Sequence, residues 1–396
     1  MSLVSLLGDL KARGIALSSD GGQLRVSAPK GAMTPELQSQ LRERKDELLA
    51  MLQSAATAAT PLAPIPAHDP HQPAPLSTAQ HRLWFMEQLR PDTAALNLPF
   101  PFRVQGPLNV AALEWVVTEI GRRHDILTSC IVVQDHRPMQ VATNVELTLP
   151  IVDFSHLAPA EREAQAMAAA VAEAAKPFSL SVAPLARFTL YRLSPTEHWL
   201  VFVSSHVVFD GWSHDVLFRE LRELYEARVR GTPVPEAPAV RFADFVQWHE
   251  AWLEEPAQAR QLDAWVQRLE GMPTVLELPV DRPRPAEISG RAISKLWRLD
   301  EDLVQRLRRV ALANGATLNM LALASLELLL SRYSGQLDFA IGLPSRGRVR
   351  PEAEELIGMF VNSLVVRSDV GRSATFRELL QHVYVEKTYA TKQQWM

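Results

Sequence analysis

"HWLVFVSSHVVFDGWSHDVLFRELRELY", residues 198–225, runs from an apolar strand through a sharp turn into an amphipathic helix. Strand alternation puts Leu200, Phe202, Ser204 and His206 on one face and Trp199, Val201, Val203 and Ser205 on the other. His206 therefore leaves the strand from a largely apolar face. Asp210 and Gly211 then signal a tight turn, and Ser213 stands where a hydroxyl can cap the helix behind it. That helix turns Val216, Leu217, Leu221 and Leu224 inward. An imidazole in an apolar channel titrates near neutrality and can accept a proton or hydrogen bond from an attacking amine. A carboxylate four residues on can hold the backbone or pair with an arginine. The plainer reading is a turn histidine, a turn aspartate and a packing tryptophan, Trp212. Periodicity does not choose between the two.

Outward from this stretch, helices and strands alternate, which makes the fold class mixed α/β (α+β). "STAQHRLWFMEQL" (77–89) and "NVAALEWVVTEIGRRHD" (109–125) read as helices, "SCIVVQ" (129–134) and "MQVAT" (139–143) as strands. An Ala-rich helix near 159–175 precedes the strand "ARFTLYRL" (186–193). "RFADFVQWHEAWL" (241–253) reads as a helix, and the polar, proline-rich "LPVDRPRPAEISGRAIS" (278–294) as a crossover between two lobes. A second lobe follows: helices at 301–315 and 317–335, strands "LDFAIGLP" (337–344) and "FVNSLVVRSD" (360–369), and a helix from Phe376.

Residues 1–54 read as a separate small αββα unit. "IALSSDGGQLRVSA" (15–28) is a hairpin signal, and Thr34 before Pro35 is a helix N-cap. The Pro/Ala-rich residues 55–75 read as a linker. The expected boundaries are thus 1–54, 55–75, a first lobe over 76–240, and a connection with a second lobe over 241–396.

Of 396 residues, 47% are apolar and 22% charged, and the net charge of −4 gives no sign of a nucleic-acid partner. The lone Cys130 excludes an intrachain disulfide framework and a multi-cysteine zinc site. There is no HExxH, GxGxxG, Walker loop or GxSxG elbow, and no metal site is expected. The N-terminus carries Asp9 and no basic leader, and no run of 18 apolar residues occurs, so the expected location is cytoplasmic, away from membranes.

In order along the chain, six stretches resemble one family. "SHVVFDGWS" (205–213) resembles the HHxxxDG signature of nonribosomal peptide synthetase condensation domains. "STAQHRLW" is similar to the family's SxAQxRLW opening, "RRHDILTSCI" (122–131) to RHExLRTxF, and "RFADFVQW" to YxDYAxW. "IGLPSRGR" (341–348) is similar to IGxPxxxR, and "IGMFVNSLVVR" (357–367) to IGxFVNTxxxR. The resemblance implies a two-lobed, chloramphenicol-acetyltransferase-like fold with a tunnel between the lobes. It implies an acyltransferase that joins an upstream carrier-bound acyl thioester to a downstream carrier-bound amine. No cofactor is then bound by the chain itself; the phosphopantetheine arms belong to the donor and acceptor carrier proteins.

Carried over, His206 matches the functionally central histidine and Gly211 the turn glycine, whose backbone lies near the thioester. Asp210 matches an aspartate of structural role, with Arg346 as its expected partner. Arg82, Trp212, Ser213 and Asn362 are expected to shape the tunnel. Ser205 stands where the family has its first histidine. The family continues through an HQDxPFE motif beyond the point where this sequence stops, so a truncated second lobe is expected. Residues 1–54 resemble the tubulysin-type N-terminal docking domain, which captures the C-terminal tail of an upstream synthase. Lys11, Arg13, Arg25 and Lys30 either favour an acidic tail or are simply solvated. The alternative to an enzyme is a non-catalytic docking and scaffold fragment.

Overall fold

The structure, a computed structural model, describes residues 16–20, 23–27, 34, 37, 41, 63–91, 93–283 and 295–392. In the N-terminal unit, β1 (Ala16–Asp20) and β2 (Gln23–Ser27) pair antiparallel, Asp20 opposite Gln23, so Gly21-Gly22 links them as the hairpin signal requires. Thr34 Oγ1 accepts from Leu37 N at 3.3 Å, which is the expected cap, and Leu37 and Leu41 are buried one helical turn apart. Lys11, Arg13 and Lys30 lie outside the described residues; Arg25 lies in β2, with only its backbone described.

The Pro/Ala-rich stretch lies on the first lobe from residue 63. Ile65 enters the core, and Ala74–Pro75 (β3) pairs with Arg137–Ala142 (β6), which pairs with Ser129–Gln134 (β5).

The first lobe is built on a four-stranded sheet. Its strands are β4 (Asn97–Gln105), β7 (Ile151–Asp153), β8 (Ala186–Ser194) and β9 (Glu197–Ser205), in the order β4-β9-β8-β7. Only β7 runs parallel to its neighbour. β4 is a strand that the sequence pattern does not signal, because Pro99 and Pro101 argue against a central strand. It is an edge strand. The two prolines are two residues apart, so both nitrogens face the same side, where a missing N–H costs no ladder bond. The inner strand β9 is buried along nearly its whole length.

Helices α1 (Thr78–Leu89), α2 (Val110–Arg123), α3 (Pro159–Ala174), α4 (Ser213–Arg230) and α5 (Phe242–Leu253) complete this lobe. α2 and α4 lie against each other, and α3 crosses β4, β8 and β9. Phe188, Phe202 and Phe209 meet at ring separations of 4.7 and 5.0 Å directly under the turn that carries His206. Each such fully buried ring stabilises the fold by roughly 1.5–3 kcal/mol.

The second lobe has its own core. α6 (Pro256–Leu269), α7 (Glu301–Ala313), α8 (Leu318–Ser334) and α9 (Phe376–Lys392) surround the antiparallel pair β10 (Asp338–Ser345) and β11 (Asn362–Asp369). α6, which opens with a proline at its first position, is a further element beyond those expected from the sequence. The segment between β10 and β11 leaves this lobe and puts Ala353, Leu356, Ile357 and Phe360 into the core of the first. That excursion ties the two cores together.

Candidate active site

The site forms where β9 ends. Ser205, the last strand residue, is paired opposite Asn97 and fixed by its N–H to Leu185 O at 2.9 Å. Its hydroxyl accepts from Val207 N at 3.4 Å, so the serine side chain is spent on the turn. His206 lies one residue beyond the strand, not in it. Its N–H donates to Leu96 O at 2.8 Å, and Val208 N closes the turn onto Ser205 O at 3.1 Å. Buried Val207, Val208 and Phe209 peg the loop into the core.

His206 Nδ1 lies 2.8 Å from Phe209 O. A carbonyl can only accept, so Nδ1 carries a hydrogen, and in the neutral ring the lone pair is then on Nε2. The half-buried ring is thus oriented by its own loop and presents a basic nitrogen.

Gln80 explains the opening motif. Ser77 and Gln80 form a reciprocal capping box at the start of α1, and Gln80 Nε2 also donates to Val207 O at 3.0 Å. One buried amide therefore caps a helix and steadies the histidine loop.

Asp210 is fully buried and faces an arginine, but that arginine is Arg348. Arg348 donates Nη1 to Oδ2 at 3.0 Å and Nη2 to Oδ1 at 3.2 Å, a bidentate pair at 1% side-chain exposure. The expectation of Arg346 is corrected: that side chain is half exposed and pairs with Glu354. The reason is local backbone. Gly347 has φ +63°, and a Cβ there would lie 1.8 Å from Phe360 O. This left-handed turn reverses the chain after β10 and sends Arg348 inward, stacked 4.2 Å from the Phe360 ring.

The remaining Asp210 valences are also filled. Oδ1 accepts from Ser213 N and Oγ, both at 2.8 Å, and Oδ2 from Phe360 N at 3.1 Å. Ser213 was expected to cap α4; instead it is the first residue of the helix, and Asp210 caps it. Ser213 Oγ also accepts from Gly358 N at 3.0 Å. Gly358 has no room for a side chain, since a Cβ would meet the Phe242 ring at 2.1 Å. Both glycines lie in the recognised motifs, and packing is why they are glycine.

Gly211 is different. Its φ is not positive, so the tight turn expected of Asp-Gly does not require glycine, and a Cβ would meet nothing within 4 Å. The residue is exposed and faces open space. Arg82 and Asn362 are brought together across the lobes, Nη2 to Oδ1 at 3.4 Å, and both line a cavity of about 270 Å³ with Phe245, Met359 and Phe360. Trp212 lines another, of about 510 Å³, on the second-lobe side. Arg348 lines this second cavity, and its chain neighbours Gly347 and Val349 line the first.

His124 lies in a separate buried cluster. Its Nε2 is 3.2 Å from Glu220, which also receives Arg123 at 2.9 and 3.2 Å. Burial alone would raise the Glu220 carboxyl, but the His124 and Arg123 hydrogen bonds and charges bring it down to about 2. His214 packs against Phe100, Phe102 and Phe218 rather than standing in solvent. Among the described residues no cluster of three His, Cys, Asp or Glu side chains could hold a metal, and no single helix is long and apolar enough to cross a membrane.

A condensation-domain family model matches residues 71–394, most of the chain and every residue of the site above. The chain belongs to the condensation-domain family. A model of the TubC N-terminal docking domain matches residues 3–54. A linear gramicidin synthase from Brevibacillus parabrevis is 41% identical over 315 residues, covering 78% of this chain and 6% of that protein. Phosphinothricin tripeptide synthetase PhsC of Streptomyces viridochromogenes is 34% identical over 355 residues, covering 88% and 33%. The chain thus spans a third or less of these relatives. The X-domain from teicoplanin biosynthesis superposes with a TM-score of 0.73 at 29% identity, covering 84% of this chain and 73% of that one. For the fold alone, the EpoB cyclization-docking bidomain from Sorangium cellulosum gives 0.71 at 24% identity, covering 98% and 77%. The mixed α/β, two-lobed chloramphenicol-acetyltransferase-like fold is therefore the one this condensation domain adopts.

Proposed function

We propose that this condensation domain joins a carrier-bound acyl thioester to a carrier-bound amine in a nonribosomal, or hybrid polyketide–peptide, assembly line of the cytoplasm. The observation that carries the reading is the His206 ring: Nδ1 is engaged by Phe209 O, so Nε2 is the atom offered to the amine. The amine nitrogen attacks the thioester carbonyl, a C–N bond forms, the C–S bond breaks, and the proton leaves the amine for the thiol sulfur by way of Nε2. A thioester is already activated, so holding the two reactants at attack distance supplies much of the acceleration. Gly211, with open space in front of it, lets the thioester approach the backbone closely. Asp210 takes no part in proton transfer, because both its oxygens are committed to Arg348, Ser213 and Phe360.

The phosphopantetheine arms come with the partner carriers. The exposed apolar face of α1, with Phe85, Met86 and Leu89, offers a surface for one of them. In the docking unit, β1 and β2 pair with each other and, among the described residues, with no other strand, so the C-terminal tail of an upstream synthase can add to an outer edge. Lys11, Arg13, Arg25 and Lys30 favour an acidic tail. The proposed units are docking domain 1–54, a connecting segment up to residue 62, a first lobe from residue 63 through α5 (Phe242–Leu253) and a second lobe beyond it.

The rival reading, a docking scaffold without catalysis, has one observation in its favour: Ser205 replaces the first histidine of the signature. Its hydroxyl, however, already serves the turn, and the loop holds His206 without a second imidazole. The test is product formation by the complete synthetase carrying this chain, with both carriers loaded. An amide product dependent on this domain supports condensation; carrier binding and upstream docking with no amide product supports the scaffold.

A further inference from the structure

The cavity of about 510 Å³ beside Trp212 has a mixed lining, in which Leu343, Leu364 and Ala390 stand beside polar and charged side chains. Three cations reach it. Arg348 is neutralised by Asp210 and Arg346 by Glu354. The third, Lys387 on α9, donates to the uncharged amide oxygen of Asn319, and no described carboxylate lies within 4 Å of its Nζ. Burial lowers the lysine pKa, as desolvation without a counter-ion must. Of the described carboxylates near it, Asp210 is committed on both oxygens and Glu354 pairs with Arg346. The cavity therefore presents one lysine with no carboxylate partner among the described residues, in a cleft of mixed lining that adjoins the loop at Gly211-Trp212 where a substrate has room to approach.

We propose that this cavity is a subsite for a carboxylate carried by one of the tethered substrates, with Lys387 Nζ as its counter-ion. The domain then prefers an acidic acyl or aminoacyl group over its neutral amide. The inference rests on the condensation reading for the identity of the ligand. Hydrogen bonds to a charged partner in such a site are about twice as strong as neutral ones, which is what lets one lysine discriminate acid from amide.

The test uses unreactive analogues in which an amide replaces the thioester. Succinyl- and succinamoyl-pantetheine form the acyl pair, and aspartyl- and asparaginyl-pantetheine the amine pair. Binding of each to the full chain is measured by calorimetry at pH 7. The expected result is about tenfold tighter binding of the acid member in at least one pair, equivalent to about 1.4 kcal/mol. That preference is lost in Lys387→Met and retained in Lys387→Arg, with both variants unfolding at the wild-type temperature. No acid preference in either pair overturns the proposal, as does a preference that survives in Lys387→Met. Equal weakening of acid and amide in Lys387→Met also overturns it and assigns the lysine to the arm instead. Because the analogues do not react, the outcome is independent of turnover. Amide formation from neutral thioesters, measured separately, tests the condensation reading itself.

Discussion

Two arginines two residues apart have opposite fates, and the difference is one glycine. Arg348 is buried against Asp210, whereas Arg346 shares a half-exposed ion pair with Glu354. Removing one member of a buried bidentate pair leaves an uncompensated charge, so Arg348→Met lowers unfolding stability by about 3–5 kcal/mol. Arg346→Met changes it by less than about 1 kcal/mol, because exposed pairs are screened. Urea unfolding of the two variants measures both. A similar loss for Arg346→Met would show that the pairing is misassigned. Gly211→Ala makes the complementary case. With no atom near the new methyl and no positive φ, stability stays within about 0.5 kcal/mol of wild type, while amide formation falls. An alanine variant that condenses at the wild-type rate would remove the substrate from that space.

Buried carboxylates on two helices set the pH response of the elements. Glu220 on α4 is held at about 2, below its ordinary 4.5, by His124 and Arg123 against the cost of burial. A depressed carboxyl gives stability that is present above about 4.5 and lost as pH falls toward 2. Glu220→Gln therefore flattens the acid limb of stability measured between those values. Glu327 on α8 behaves oppositely. Burial, opposed by the Ser368 hydroxyl and aided by nearby Glu386, pushes it up to about 7. Its folded state binds the proton more tightly than the unfolded state does. That contribution is full below about 4.5 and disappears as pH rises through 7. Glu327→Gln is expected to gain stability relative to wild type at pH 8 and not at pH 4, by thermal unfolding at each pH.

Most of these elements are legible from sequence because periodicity and caps agree, as at Ser77, Thr317 and Gly335. The strand over 97–105 is not, since its prolines are tolerated only through an edge position that tertiary pairing decides. His206 and Asp210 are legible as a pair from the loop motif. The partner of Asp210 is not, because a local pattern cannot say how Gly347 turns the chain across 138 residues of separation. Gln80 is legible as part of a motif but not in its role, which depends on a contact to Val207, 127 residues away in sequence.

At the scale of the molecule, the chain between β10 and β11 makes one unit of two cores. It leaves the second lobe, drives four apolar side chains into the first, and sets Arg348 on Asp210 just behind the histidine loop. The placement of His206 thus depends on both lobes, although its own hydrogen bonds come from the first. The central claim is that Nε2 of this ring serves the amine. The direct measurement is the single-turnover rate of amide formation between loaded carriers by the complete synthetase, wild type against His206→Ala, with unfolding temperature as control. The account predicts a fall of about 10²–10⁴-fold at unchanged stability. An unchanged rate in a folded His206→Ala protein would contradict it.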